Sequence, residues 1–244
     1  MSKLSEAFKN KKALITYITA GDPNLGTTEK LVYALEKAGA DIVELGIPFS
    51  DSLADGPVIQ ASHLRALKTS LNDVFKLVKK LRKRTRIPIV LMLADNLVVK
   101  YGSEKFYLDA EKVGVDGVII PDLPPDQGVG AGIGVDKILL IAPTTTEERI
   151  KMIAEQSSGF IYLVSLAGIT GKRKNLSAGL PELVQKIRKY TDKPIAIGFG
   201  ISNPKQAAAA AKIADGVIVG SAIVGQPLPK VEKFVKSLRH AIDR

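Results

Sequence analysis

Eight short apolar runs recur along this chain, each followed by a longer helical stretch, and that alternation limits the available folds more than any other feature. The runs are ALITYIT (13–19), DIVEL (41–45), PIVLML (88–93), DGVII (116–120), KILLI (137–141), FIYLV (160–164), PIAIG (194–198) and DGVIV (215–219). Each is almost continuously apolar, as expected of a strand covered on both faces. The helical stretches are 27–38, 60–83, 103–113, 146–156, 180–190, 204–212 and 228–242. Asn203-Pro204 supplies a cap followed by proline at the first helical position, and Gly39 and Gly114 stand where helices should end. Eight strand–helix units in 244 residues predict an α/β protein, a (β/α)8 TIM barrel, as one domain over residues 1–244. The alternative is a doubly wound open sheet. Its glycine fingerprint is missing after the first strand, where Ala20-Gly21-Asp22-Pro23 stands instead. A Gly/Ala-Asp-apolar strand entry recurs in GADIVELG, GVDGVIIPDLP and IADGVIVGSA, which favours the barrel.

One connection breaks the pattern. Residues 121–136 carry four glycines and a Pro-Pro pair. Glycine costs about 1 kcal/mol per helical position, so the fourth helix is expected to be short or absent.

Composition removes several classes of function. With no cysteine there is neither a disulfide framework nor a thiolate-ligated metal. Two histidines, His63 and His240, are too few for a His-rich metal site. The N-terminal MSKLSEAFKNKK has no apolar signal region, and no apolar run reaches transmembrane length, so a cytoplasmic protein with no membrane partner is expected. The net charge of +10 gathers in 76–86, in 171–175 and near the C-terminus. These runs read as solvated helix faces. Aromatics are few and do not interleave with them, so no nucleic-acid stacking platform is expected. A positive field can still steer an anionic small molecule.

Chemistry in a barrel of this kind sits at the C-terminal strand ends. There the chain has Thr19 to Pro23, Glu44, Pro121-Asp122, Tyr162 to Gly171, Gly198 to Ser202, and Gly220-Ser221. Glycines after the seventh and eighth strands, with a short helix starting near Gly220-Ser221 and Gly171 after the sixth strand, predict a phosphate site. Glu44 is the unusual residue. Ile42, Glu44 and Gly46 share one strand face and Val43 and Leu45 the other. A glutamate near the strand top, followed by a glycine that leaves room, suits the interior mouth of the barrel. Desolvation there raises its pKa, which suits a group that gives and takes a proton near neutral pH. Asp51 and Asp55 follow in a loop where aspartate also serves as a turn former, and the residues alone do not separate them.

The stretches ITAGDP (18–23), VELGIPFSDSLADGPVIQ (43–60), GVDGVIIPDLP (114–124), GFIYLVSLAGITG (159–171), IGFGIS (197–202) and GVIVGSAIV (216–224) together resemble the α-subunit family of tryptophan synthase, in order and spacing. That family cleaves indole-3-glycerol phosphate to indole and glyceraldehyde 3-phosphate. The resemblance implies Glu44 as general acid/base and Asp55 as the group that binds the indole N–H and stabilises the indolenine intermediate. It implies phosphate binding at Gly171, Gly200, Gly220 and Ser221. Tyr17, Thr19, Leu91, Ile119, Ile141, Tyr162, Thr170, Phe199 and Ile201 are implied as substrate pocket, with Thr170 on the closing loop (168–179). Asp51 and Ser52 are implied to face a β-subunit partner in an α2β2 assembly. No cofactor is implied in this chain, pyridoxal phosphate belonging to the β-subunit. Three departures stand out: Ser52 where the family usually has proline, no tyrosine in LMLADN (91–96), and the glycine-rich connection at 121–136. A free-standing indole-glycerol phosphate lyase and a non-catalytic phosphate-binding barrel are the competing readings.

Overall fold

The computed structural model describes residues 2–52, 55–127, 134–165, 179–198 and 200–244. Nine strand segments form one parallel sheet: β1 Ala13–Thr19, β2 Ile42–Gly46, β3 Ile89–Met92, β4 Gly117–Ile119, β5 Asp136–Ile138, β6 Leu140–Ile141, β7 Ile161–Val164, β8 Ile195–Gly198 and β9 Gly216–Val219. Their order is β5-β4-β3-β2-β1-β9-β8-β7-β6. β5 and β6 are one run of chain interrupted at Leu139, so the two ends of that order meet. The result is a nearly closed TIM barrel of eight staves, matching the eight apolar runs.

Side-chain alternation along the staves sorts the apolar residues into two clusters. Ile15, Ile42, Val90, Ile119, Ile138 and Ile218 meet inside the barrel. Leu14, Val43, Leu45, Ile89, Leu163 and Val217 face outward and pack against the helices. This double burial is why the runs lack a polar face. The N-terminal mouth is plugged. Leu4 of the short helix α1 (Lys3–Glu6) and Phe8 join the inner cluster, and the Phe8 and Phe160 rings lie 5.5 Å apart. With that end filled, the opposite mouth is left for chemistry.

The surrounding helices are α2 Leu25–Lys37, α3 Pro57–Ala66, α4 Leu71–Leu81, α5 Asp95–Tyr101, α6 Ser103–Val113, α7 Glu147–Gln156, α8 Leu180–Arg188, α9 Pro204–Ala211, α10 Ser221–Val224 and α11 Leu228–Ile242. Gly39 and Gly114 adopt positive φ just past α2 and α6, as helix ends require. The stretch 60–83, expected as one helix, is two. Ser70 breaks it: its Oγ accepts from Asp73 N–H (3.2 Å) while the Asp73 carboxylate accepts from Ser70 N–H (3.2 Å). That reciprocal cap was readable as Ser-x-x-Asp. Among the described residues, the connection from β4 to β5 holds only a 3-10 turn, Pro125–Gln127. No helix among the described residues is long and apolar enough to cross a membrane.

Candidate active site

Glu44 takes its direction from β2. Ile42 lies in the inner cluster and Val43 and Leu45 in the outer one, so alternation turns Glu44 into the barrel. It is fully buried, and neither carboxylate oxygen has a hydrogen-bond partner among the described residues. Burial pushes its carboxyl up to about 8, so at neutral pH the protonated acid predominates.

Two buried tyrosines crowd the same space. Tyr17 is the register partner of Glu44 on β1, and Tyr162 lies inside on β7. Each phenol occupies the place a neighbouring side chain would need. A Cβ on Gly46 would fall 2.0 Å from Tyr17 Oη, and one on Gly198 2.4 Å from Tyr162 Oη. Both phenols are held well above their ordinary pKa. Burial is the main cause, and the charges of Glu44 and Asp55 add to it in both. The two carboxylates therefore share one electrostatic space.

Asp55 sits in the loop leading to α3, its N–H donating to Ser52 O (3.1 Å). Burial raises its pKa, and His63 opposes the rise. The Asp55 Oδ2 and His63 Nε2 atoms are 3.9 Å apart. His63, buried on α3, accepts from Phe49 N–H at Nδ1 (3.2 Å), and its Nε2 lies 2.9 Å from Tyr17 Oη. Beside it, Thr19 Oγ1 and Ser62 Oγ are 2.5 Å apart, and Ser62 donates to Ile59 O (2.7 Å). Arg65 then clamps Asp22 with two bonds of 2.8 and 2.7 Å. α3 is thus tied to the strand ends by three consecutive polar contacts, at Ser62, His63 and Arg65. His63 was missed from the sequence as part of a site. Its signal was a histidine on the inward face of the helix that follows the acidic loop.

A cavity of about 290 Å³ opens here, walled by Tyr17, Phe49, Asp55, His63, Met92 and Asp122 among others. Glu44 does not wall it, but its register partner Tyr17 does. Two grooves of about 320 Å³ flank the same mouth, around Asp22 and Arg65 and around Asp122 and Arg149, and two larger ones lie at the other end of the barrel, around Lys12, Lys212 and His240, and around Phe8, Arg188 and Asp215. The larger two are open surface features beside the strand N-termini, remote from the buried acids.

The remaining expected residues divide. Thr19 and Ile119 are buried, Ile119 inside the barrel. Asp51 and Ser52 line the rim of the cavity, Asp51 exposed. Gly200 has φ +77° just beyond β8, and Gly220 directly precedes α10, which begins at Ser221. Leu91 and Ile141 require correction as pocket wall: both are buried in the outer layer, between barrel and helices. The reason is the period of two: the neighbours Met92 and Leu140 pack on the interior cluster instead. Ile201, a few residues beyond β8, is buried. Thr170, Gly171 and Phe199 lie outside the described residues, as does most of the 168–179 loop.

Comparison with known proteins agrees over the whole length. The family model for the tryptophan synthase alpha chain matches residues 3–241. A tryptophan synthase alpha chain from Lacticaseibacillus casei is 49% identical, covering 100% of this chain and 96% of its own length. One from Geobacter sp. (strain M21) is 45% identical, covering 99% and 98%. Among solved structures, tryptophan synthase subunit alpha from Legionella pneumophila superposes with a TM-score of 0.88 at 38% identity, covering 100% of this chain and 99% of its own. A chain of Mycobacterium tuberculosis tryptophan synthase does so at 0.92 and 34%, with the same coverage. With its barrel, its buried acid at the mouth and these full-length matches, the chain belongs to the tryptophan synthase alpha chain family.

Proposed function

We propose that Glu44 and Asp55 carry out the retro-aldol cleavage of indole-3-glycerol phosphate to indole and glyceraldehyde 3-phosphate. The chain is the lyase subunit of tryptophan synthase, as its family membership and its relatives at 45–49% identity support. The observation that carries the residue assignment is Glu44: a fully buried carboxyl without a hydrogen-bond partner among the described residues, its pKa raised to about 8.

In this reading Glu44 enters the reaction as the acid and protonates indole C3. The positive charge then appears on the indole nitrogen, where the Asp55 carboxylate hydrogen-bonds the N–H and stabilises it. The C3–glycerol bond breaks, its electrons returning to the ring. The glycerol hydroxyl becomes the aldehyde and gives its proton to the Glu44 carboxylate. One proton leaves Glu44 and one returns, so the site resets without an external acid. No step requires a group beyond acid/base and charge stabilisation. The phosphate is held by backbone N–H groups at Gly171, Gly200, Gly220 and Ser221. The chain works in the cytoplasm as one barrel domain, paired in an α2β2 heterotetramer with a β-subunit that carries pyridoxal phosphate. Asp51 and Ser52 face that partner.

The test is an indole-release assay on indole-3-glycerol phosphate, with and without β-subunit. Glu44→Gln should lose turnover by at least ~100-fold while still binding glycerol phosphate, the usual scale for an acid/base group. Asp55→Asn should also lose turnover in the isolated chain, whereas Asp51→Asn should matter mainly with the partner present. Appreciable cleavage by Glu44→Gln overturns the assignment. A β-subunit that changes neither mass nor rate overturns the assembly.

A further inference from the structure

His63 is a buried titratable group that the cleavage scheme leaves unused, yet it stands between the parts that do the work. Its Nδ1 accepts from Phe49 N–H (3.2 Å), which anchors the ring to the loop after β2. Its Nε2 faces two groups at once: Tyr17 Oη at 2.9 Å and Asp55 Oδ2 at 3.9 Å. Tyr17 in turn closes over Gly46, two residues beyond Glu44, and pairs with Glu44 in register. A continuous line of contacts therefore runs Asp55–His63–Tyr17 to the strand that carries Glu44.

We propose that His63 is the positioning residue for Asp55, keeping the Asp55 carboxylate ionised and aimed into the cavity while it fixes the Tyr17 phenol over the same cavity. This rests on the assignment of Asp55 as the group that meets the indole N–H. The geometry accounts for each half of the role. Because Nδ1 accepts a backbone proton, the neutral ring carries its own proton on Nε2, on the side of Tyr17 and Asp55. A buried carboxylate needs such a neighbour, since burial by itself favours its neutral form, which cannot balance charge on the indole. Burial lowers the His63 pKa and raises that of Asp55, and each group pulls the other back toward its charged form. The other ionisable groups facing this space are acidic or phenolic: Tyr17 on β1, Glu44 behind it on β2, and Asp51 and Asp122 on the cavity wall. Among the described groups walling the cavity, only His63 becomes cationic on protonation.

Two substitutions separate positioning from simple structural support. Asparagine at 63 retains an acceptor for Phe49 N–H but does not reach Tyr17 and Asp55. Glutamine places an uncharged donor near the Nε2 position. The experiment measures kcat/KM for indole release against pH for the wild type, His63→Asn, His63→Gln and Asp55→Asn, with thermal midpoints for all four. In His63→Asn, kcat/KM at neutral pH should fall roughly 10- to 100-fold, the scale of a misplaced reacting group. The acid limb should move to higher pH by about one unit, because the variant has no imidazole to become cationic beside Asp55 as the pH falls. His63→Gln should recover part of the rate but retain the moved limb. A wild-type limb in both variants, or a uniform loss that tracks the thermal midpoint, overturns the proposal. If Asp55→Asn is itself fully active, the assignment of Asp55 fails. If Asp55→Asn is inactive and the His63 limb stays put, only the role of His63 fails.

Discussion

Glu44 and Tyr17 are direct register partners on adjacent parallel strands, and both turn into the barrel, where Gly46 leaves the phenol its space. The pairing puts a protonated acid beside a tyrosine that burial keeps protonated as well. It leaves the site with a donor at the start of the reaction and no strong base competing for its proton. Four predictions follow from this and the neighbouring contacts.

The first concerns rate and pH. With Glu44 as the initial acid, activity requires its protonated form, so kcat/KM should fall as pH rises through about 8. Asp55 is needed as the carboxylate, and burial raises its pKa, so the acid limb should lie above the ordinary aspartate range. A pH–rate profile on the isolated chain checks both limbs. A rate that climbs steadily past pH 9 contradicts Glu44 as the donor.

Stability should show the same group. The folded pKa of Glu44 is about 8 against an ordinary glutamate value of 4.5, so between those values the folded chain binds more protons than the unfolded chain. Stability must then decrease with rising pH across that window, by a few kcal/mol in all. Glu44→Gln removes the ionisation. The stability of the variant minus that of the wild type should therefore grow from pH 5 to pH 9 in urea unfolding. Parallel curves for the two proteins count against a buried Glu44 with a raised pKa.

At the expected phosphate site, size and charge can be separated. A Cβ on Gly220 would meet Tyr17 Cβ at 3.4 Å, an ordinary contact. Gly220→Ala should fold with a nearly unchanged midpoint and a modest change in KM. Gly220→Asp should raise KM at least ~10-fold through repulsion of the phosphate, since each tenfold corresponds to about 1.4 kcal/mol. Steady-state kinetics of the pair decides, and an unchanged KM in Gly220→Asp rules the phosphate out of this place.

Gly46 offers the reverse case. Its added Cβ would lie 2.0 Å from Tyr17 Oη and 2.5 Å from Tyr17 Cζ. Gly46→Ala must displace the ring, which should cost about 1–3 kcal/mol of stability by overpacking. It should also lower kcat, because the displaced Tyr17 phenol borders the reacting groups. Thermal unfolding with steady-state kinetics tests both, and an unperturbed midpoint refutes the crowding.

Much of this was legible in the chain because the fold writes itself in periods. Doubly covered strands need apolar residues at every position, so eight runs announced eight staves. Glu44 was conspicuous for the same reason: a charge is costly in such a run, and alternation with Ile42 and Gly46 set its face. Leu91 and Ile141 show where this reading stops. In a strand apolar on both faces, composition no longer says which face is inside, and a slip of one residue exchanges Met92 for Leu91 and Leu140 for Ile141. The helix break at Ser70 was written locally as a cap, and the longer apolar periodicity around it masked that signal.

His63 marks the other boundary. Tyr17 lies far from Asp55 and His63 along the chain, and each of the three taken alone suits an ordinary turn, helix or strand. Local sequence determined the barrel, its buried acid and the loop of aspartates that follows, because strand burial and turn chemistry depend on near neighbours. Only the tertiary structure decided that α3 returns to β1 with His63 between Tyr17 and Asp55, at 2.9 and 3.9 Å. Such a contact is set by the packing of one helix across two strand ends, a relation that no period within the sequence encodes.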